Sequence, residues 1–294
     1  MTTPHGGHHA SPQQPWAQPP FPAPPQRFAQ PQQQFPHQAP MAGHDPFARA
    51  TQRTPFTRLV RVEFRKLTGT LSDRILLAVG PLALVGLTTL MMAVDTDTQS
   101  AKDQALPVVW SARFAHVVVH ALIIKLIAGE WQHRSAQPTL LAQPSRGRYF
   151  AAQAVVVTVL WLLCLALQVM TTFIVMPISV AAAGNGYLLD HRVGWVIGMA
   201  VVGSLMSMVV ALTVGMLLPN SAGALAVYCG AVPAMLIMSG LAPAVLAWID
   251  PATPSLTLAT LLPIEGPAPA VVSVVLWVAL LGLAGYRVAR RDVA

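Results

Sequence analysis

Six apolar runs decide what this chain can fold into. They cover residues 75–94, 107–129, 150–180, 193–218, 222–248 and 268–286. Each is long enough to cross the hydrocarbon of a bilayer, which takes about 20 apolar residues in a helix. The runs are continuous and do not alternate, which argues against a closed β-barrel. A helix also satisfies its own backbone polar groups in lipid. The fold class expected is therefore an all-α membrane protein with six transmembrane helices. The third run exceeds one span, and Pro177 with Gly184 and Gly186 is expected to end or bend it.

Composition supports this. Charged residues are 10% of the chain and hydrophobic ones 54%, against about 25% charged in a soluble domain. The net charge of +7 does not point to nucleic acid, because the basic residues flank apolar runs and form no soluble basic face. Cys164 and Cys229 lie inside apolar runs. They read as small buried hydrophobes, with no metal-ligand spacing.

Residues 1–54 are different material. Pro, Gln and His dominate, so this segment cannot bury enough apolar area to order itself. It is expected to be a disordered cytoplasmic tail. It has no apolar core of a signal peptide, and His5, His8 and His9 read as part of a polar tail. Residues 55–294 form the six-helix transmembrane domain.

Lys and Arg placement sets the orientation. Arg53, Arg58, Arg61, Arg65, Lys66 and Arg74 precede the first run, and Arg134, Arg146 and Arg148 follow the second. Arg287, Arg290 and Arg291 follow the last. The alternate loops carry Asp95, Asp97, Asp103, Asp190, Asp250 and Glu265. Both termini are expected in the cytoplasm, and the chain in the plasma membrane. Trp110, Trp195 and Trp248 fall near the expected outer interface.

Residues 55–68 read as an amphipathic helix in the cytoplasmic interface. Phe56, Leu59, Val60, Phe64 and Leu67 share one face, and Arg58, Arg61 and Arg65 another. Pro55 suits the first turn. Within the second run, Arg113, His116 and His120 share a face. Arg113 sits near an end, where it can snorkel. The histidines either line a transport path or bond neighbouring helices, with Gln168, Thr172, Ser204 and Ser207 as partners. A bis-His haem needs ligands facing each other across helices. No other run has a deep histidine, so no cofactor is expected. Glu130 can pair with Lys125 or Arg134, hold the interfacial helix through Arg65 or Lys66, or form part of a docking surface. The apolar connection 249–267, broken by Pro251, Pro254, Pro263 and Pro267, is expected to lie in the outer interface or re-enter, packed on protein.

Two stretches carry a family resemblance. One is Glu63-Phe64-Arg65-Lys66-Leu67, followed by Thr70 and Asp73-Arg74. The other is Gly129-Glu130-Trp131-Gln132-His133, followed by Thr139-Leu140-Leu141-Ala142-Gln143-Pro144-Ser145-Arg146-Gly147-Arg148. With six spans and both ends inside, the chain from about Pro55 onward resembles the permease subunit of type-2 (ABC-2) exporters. The stretch at Glu63 is similar to that family's E-x-x-K start. The stretch at Gly129 resembles a Glu closing the second span, then a TLL step and a P-x-R turn. Arg134-Ser135 stands where the family usually has Gly-Thr, Gln153 where Lys is common, and Pro138 interrupts the loop.

The resemblance implies a permease that pairs with a second permease, homodimer or heterodimer, to export a substrate the sequence does not name. The chain contains no G-x-x-x-x-G-K-[ST], so ATP hydrolysis is expected in a separate ATP-binding subunit, and this chain is not expected to be an enzyme. That subunit would dock on the coupling loop 130–148, through Glu130, His133, Arg134, Thr139, Leu140, Leu141, Pro144 and Arg146. Short helices in 249–267 would cap the outer exit. The alternative is a membrane-embedded binding or regulatory subunit that transports nothing.

Overall fold

The structure is a computed structural model, and it describes residues 54–94, 99–132, 145–259 and 266–290. Among these, all regular structure is helical. The elements are α1 (Phe56–Lys66), α2 (Leu71–Val94), α3 (Ala101–Phe114), α4 (Val117–Gln132), α5 (Arg146–Ala182), α6 (Val193–Leu217), α7 (Ser221–Leu241), α8 (Pro243–Ile249), α9 (Thr253–Leu258) and α10 (Ala268–Arg290). A short 3₁₀ turn, Asp190–Arg192, leads into α6. Six stretches are long and apolar enough to cross a membrane: α2, α3 with α4, α5, α6, α7 and α10.

The second run departs from a single helix. It begins earlier than its apolar stretch, at Ala101, because Ser100 and Asp103 form a capping box. The Asp103 N–H donates to Ser100 Oγ at 3.2 Å, and the Ser100 N–H donates to Asp103 Oδ2 at 2.9 Å. Such reciprocal bonds satisfy two otherwise orphaned donors. The helix then breaks at Ala115–His116, between α3 and α4.

Pro177 does not end the third run. It sits inside α5, which continues to Ala182. The stop comes at Gly184, whose φ of +77° a side-chain-bearing residue resists. Gly184 and Asn185 then donate to the carbonyls of Ala181 and Val180, a Schellman closure. The fifth run is also not one helix. It divides at Ala242, because Pro243 starts α8 afresh.

The α3–α4 stretch and α6 form the inside of the bundle. In each, 61% of the most apolar window is buried, against 12% for α7 and 17% for α10. Close approach is built in at Gly203 of α6, where an added Cβ would lie 2.9 Å from the Ala112 Cβ of α3. Small residues let helix backbones meet this way where lipid offers no hydrophobic drive. Gly282 and Gly285 make no comparable contact. The described part of the 249–267 connection packs on protein as expected: Asp250, Thr253 and Ser255 are buried.

Helix α1 divides its apolar arc in two. Leu59 and Leu67 are buried, whereas Phe56 and Phe64 remain exposed at 38% and 37%. The expected single apolar face is thus a bundle-facing side and a separate open side.

Candidate functional site at the end of α4

The last two turns of α4 gather polar side chains from four other helices. Glu130 is buried and accepts from Lys66 Nζ of α1 at 2.5 Å through Oε1. Its Oε2 accepts from Gln153 Nε2 of α5 at 2.8 Å. Lys66 also donates to Glu63 Oε1 at 2.6 Å, one turn back on α1, and lies 5.3 Å from the centre of the Tyr149 ring. Gln153 further donates to Tyr149 Oη at 3.0 Å. Of the partners open to Glu130 in the sequence, Lys66 is found among the described residues, and Arg134 lies outside them.

Burial opposes the charge on Lys66, but the Glu130 and Glu63 carboxylates outweigh it. Together they hold the ammonium above its ordinary pKa. Two buried carboxylates around one ammonium make a tight ionic knot between α1 and α4.

Lys125, one turn and a half earlier on α4, reaches α2 instead. It donates to Asp73 Oδ1 at 2.6 Å and to Ser72 Oγ at 2.9 Å. At the far end, Gln132 Oε1 accepts from the N–H of Ser221 at 2.9 Å and from its hydroxyl at 2.6 Å. That ties α4 to the start of α7, where Asn220 caps the helix by accepting from the N–H groups of Ala222 and Gly223. A cleft of about 220 Å³ opens between the two ionic groups, bordered by Lys66, Thr70, Asp73, Lys125, Glu130 and Ser221.

The other site residues from the sequence divide as follows. Arg58, Arg61 and Arg65 are exposed on α1, and Glu63 is buried. Arg148, at the start of α5, donates to the Thr54 carbonyl just before α1 at 2.7 Å. Arg146 opens α5. His133, Arg134, Thr139, Leu140, Leu141 and Pro144 lie outside the described residues, as do the tail residues 1–53.

Arg113 corrects the snorkelling expectation. It is buried and pairs with Asp250 Oδ2 at 2.8 Å, with its guanidinium 5.7 Å from Trp110 and 5.6 Å from Phe114. The pair fastens α3 to the turn between α8 and α9. Asp250 is further held there, its Oδ1 accepting from the Ala252 N–H and its carbonyl from Ser273 Oγ of α10.

His116 and His120 are both fully enclosed, with rings stacked 5.8 Å apart. His120 Nδ1 shares a hydrogen bond of 2.5 Å with Tyr228 Oη of α7. Neither nitrogen of His116 meets a hydrogen-bond partner among the described residues. Three of the partners expected from the sequence are engaged elsewhere, and the Thr172 hydroxyl meets no hydrogen-bond partner among the described residues. Gln168 donates to Ser111, Ser204 accepts from Trp161, and Ser207 donates to the Gly203 carbonyl.

Sequence reasoning missed Tyr228, Asp250, Asp73 and the bond from Gln153. Two signals were readable: Tyr228 is a phenol deep in an apolar run, and Asp250 is an acid in a greasy connection. Each buried polar group needs a partner, and His120 and Arg113 needed them. Among the described residues, no three His, Cys, Asp or Glu side chains gather where they could hold a metal ion. No family model, curated protein or solved structure matches the chain.

Proposed function

We propose that the chain is the membrane-spanning permease subunit of an ABC exporter, working as a dimer and driven by a separate ATP-binding subunit. The observation that carries this is the convergence at the end of α4. Between Lys125 and Gln132, α4 is joined by polar bonds to α1, α2, α5 and α7. The chain then enters residues 133–144 and re-emerges as α5. A force applied to that connection acts directly on both flanking spans. Through the bonds it also acts on α1, α2 and α7. Rigid helices joined by discrete ionic and hydrogen-bonded contacts are the kind of element that carries coupling energy.

In this reading the ATP-binding subunit grips 130–148, with Leu140 and Leu141 as apolar contacts that would otherwise face water. The α4 end and both termini face the cytoplasm, and α1 lies in that interface. The α8–α9 turn, held by Arg113–Asp250, sits at the outer end.

One observation favours the alternative, a membrane-embedded subunit that transports nothing. His116 and His120 are sealed inside the bundle, so these histidines open onto no path among the described residues. Co-purification in nanodiscs decides between the two. The exporter reading expects two copies of this chain retained with two copies of an ATP-binding protein carrying a phosphate loop. A chain that retains no such protein under any mild condition favours the non-transporting subunit.

A further inference from the structure

The two ends of α1 are fastened to the bundle at the level where its helices begin and finish. At its N-terminal end the Thr54 carbonyl accepts from Arg148, two residues into α5. At its C-terminal end Lys66 pairs with Glu130, two residues before α4 stops. A helix pinned at both ends to this level runs along the rim of the spanning bundle, where a bilayer changes from hydrocarbon to headgroup.

At 3.6 residues per turn, a sweep around α1 crosses three faces in order. Leu59, Glu63, Lys66 and Leu67 meet the bundle. Phe56 and Phe64 follow, both exposed, beside Val60, which is partly buried against the core. Arg58, Arg61 and Arg65 come last, all exposed, and no ion pair to an acid is seen for any of them among the described residues. One side of α1 is thus satisfied by protein, one suits acyl chains, and one is a row of unneutralised guanidinium groups.

We infer that the Arg58–Arg61–Arg65 face of α1 binds the headgroups of anionic phospholipids and selects them over zwitterionic ones. Guanidinium groups match phosphate with paired N–H donors. A basic residue near an anionic leaflet contributes about 1 kcal/mol. The aromatic side gives the depth that holds the arginines at headgroup level. Headgroup charge therefore bears on the same helix that Lys66 locks to α4 through Glu130. This inference rests on reading α1 as an interfacial helix.

The test uses the full chain in nanodiscs. A fluorophore is attached at Phe64→Cys in a Cys229→Ser background, the remaining Cys164 being buried. Quenching is compared between phosphatidylcholine and phosphatidylglycerol brominated near the headgroup, each as a minor fraction in phosphatidylcholine. The inference expects quenching by both, stronger for phosphatidylglycerol by a factor of about five, one arginine's share. The ratio should fall towards one in Arg58→Gln/Arg61→Gln/Arg65→Gln and remain in Arg287→Gln/Arg290→Gln. If the triple variant does not fold, high salt on the unaltered arginines should erase the preference by screening. Equal quenching by the two lipids, or a preference that survives both the triple variant and salt, overturns the inference and leaves the interfacial placement intact. No quenching by either lipid overturns that placement and the inference with it.

Discussion

Lys66 and Glu130 meet at 2.5 Å although 64 positions separate them in the chain. The carboxylate is buried and the ammonium is three-quarters covered, with 24% of its side chain exposed. Removing one member of such a pair leaves a largely buried charge without its ionic counterpart. The expected cost of Lys66→Met is therefore about 3 kcal/mol. Lys66→Met with Glu130→Leu should be milder than Lys66→Met alone, because one stranded carboxylate, that of Glu63, remains instead of two. Melting of the three proteins in one detergent checks the order.

The same group predicts an alkaline transition. The Lys66 pKa in the fold lies above its ordinary value of 10.5. A raised lysine contributes stability that is fully present below the unfolded value. That contribution is lost as pH rises through the folded one. Melting temperature should therefore fall above about pH 10.5 in a way that Lys66→Met does not reproduce. Identical pH profiles for the two proteins would count against the shift.

Arg113 and Asp250 form another buried ion pair that crosses the fold. Asp250→Asn keeps an acceptor for the Ala252 N–H but strands the guanidinium, so a loss of about 3 kcal/mol is expected. Arg113→Met should cost a similar amount, and the double variant much less than the sum. Additive losses would mean that the two side chains act independently.

Tyr228→Phe removes one hydroxyl and strands His120 Nδ1. A loss of about 1 kcal/mol is expected, the usual value for one bond between membrane helices. His116→Leu with His120→Leu should lower the melting temperature while leaving membrane abundance unchanged. Normal melting in that variant would show that the enclosed histidines do not support the packing of α7.

Helix number and approximate extent were legible because lipid demands long apolar runs, and nothing else in the chain mimics one. Breaks were not. Pro177 is tolerated inside α5, whereas Pro243 starts α8, because the cost of a proline depends on whether the donor it removes was needed there. The capping box at Ser100 and Asp103 is written in the sequence, but its acid reads there as part of an acidic loop. In the site, Lys66 is one of four partners open to Glu130. That Lys66 reaches Glu130 depends on how α1 lies against α4 and α5, a three-dimensional fact with no local signature. Arg113 reads as a snorkelling end residue because its partner, 137 positions away, falls in the connection between the fifth and sixth apolar runs.

In the proposed exporter, the end of α4 would pass work from a separate ATP-binding subunit into the bundle through the connection that follows it. The most direct measurement is affinity purification of the unaltered chain and of Leu140→Ser/Leu141→Ser from native membranes, at matched membrane abundance. The unaltered chain is expected to retain an ATP-binding protein with a phosphate loop, and the variant to lose it. Equal retention by both, or none by the unaltered chain, would contradict the proposal.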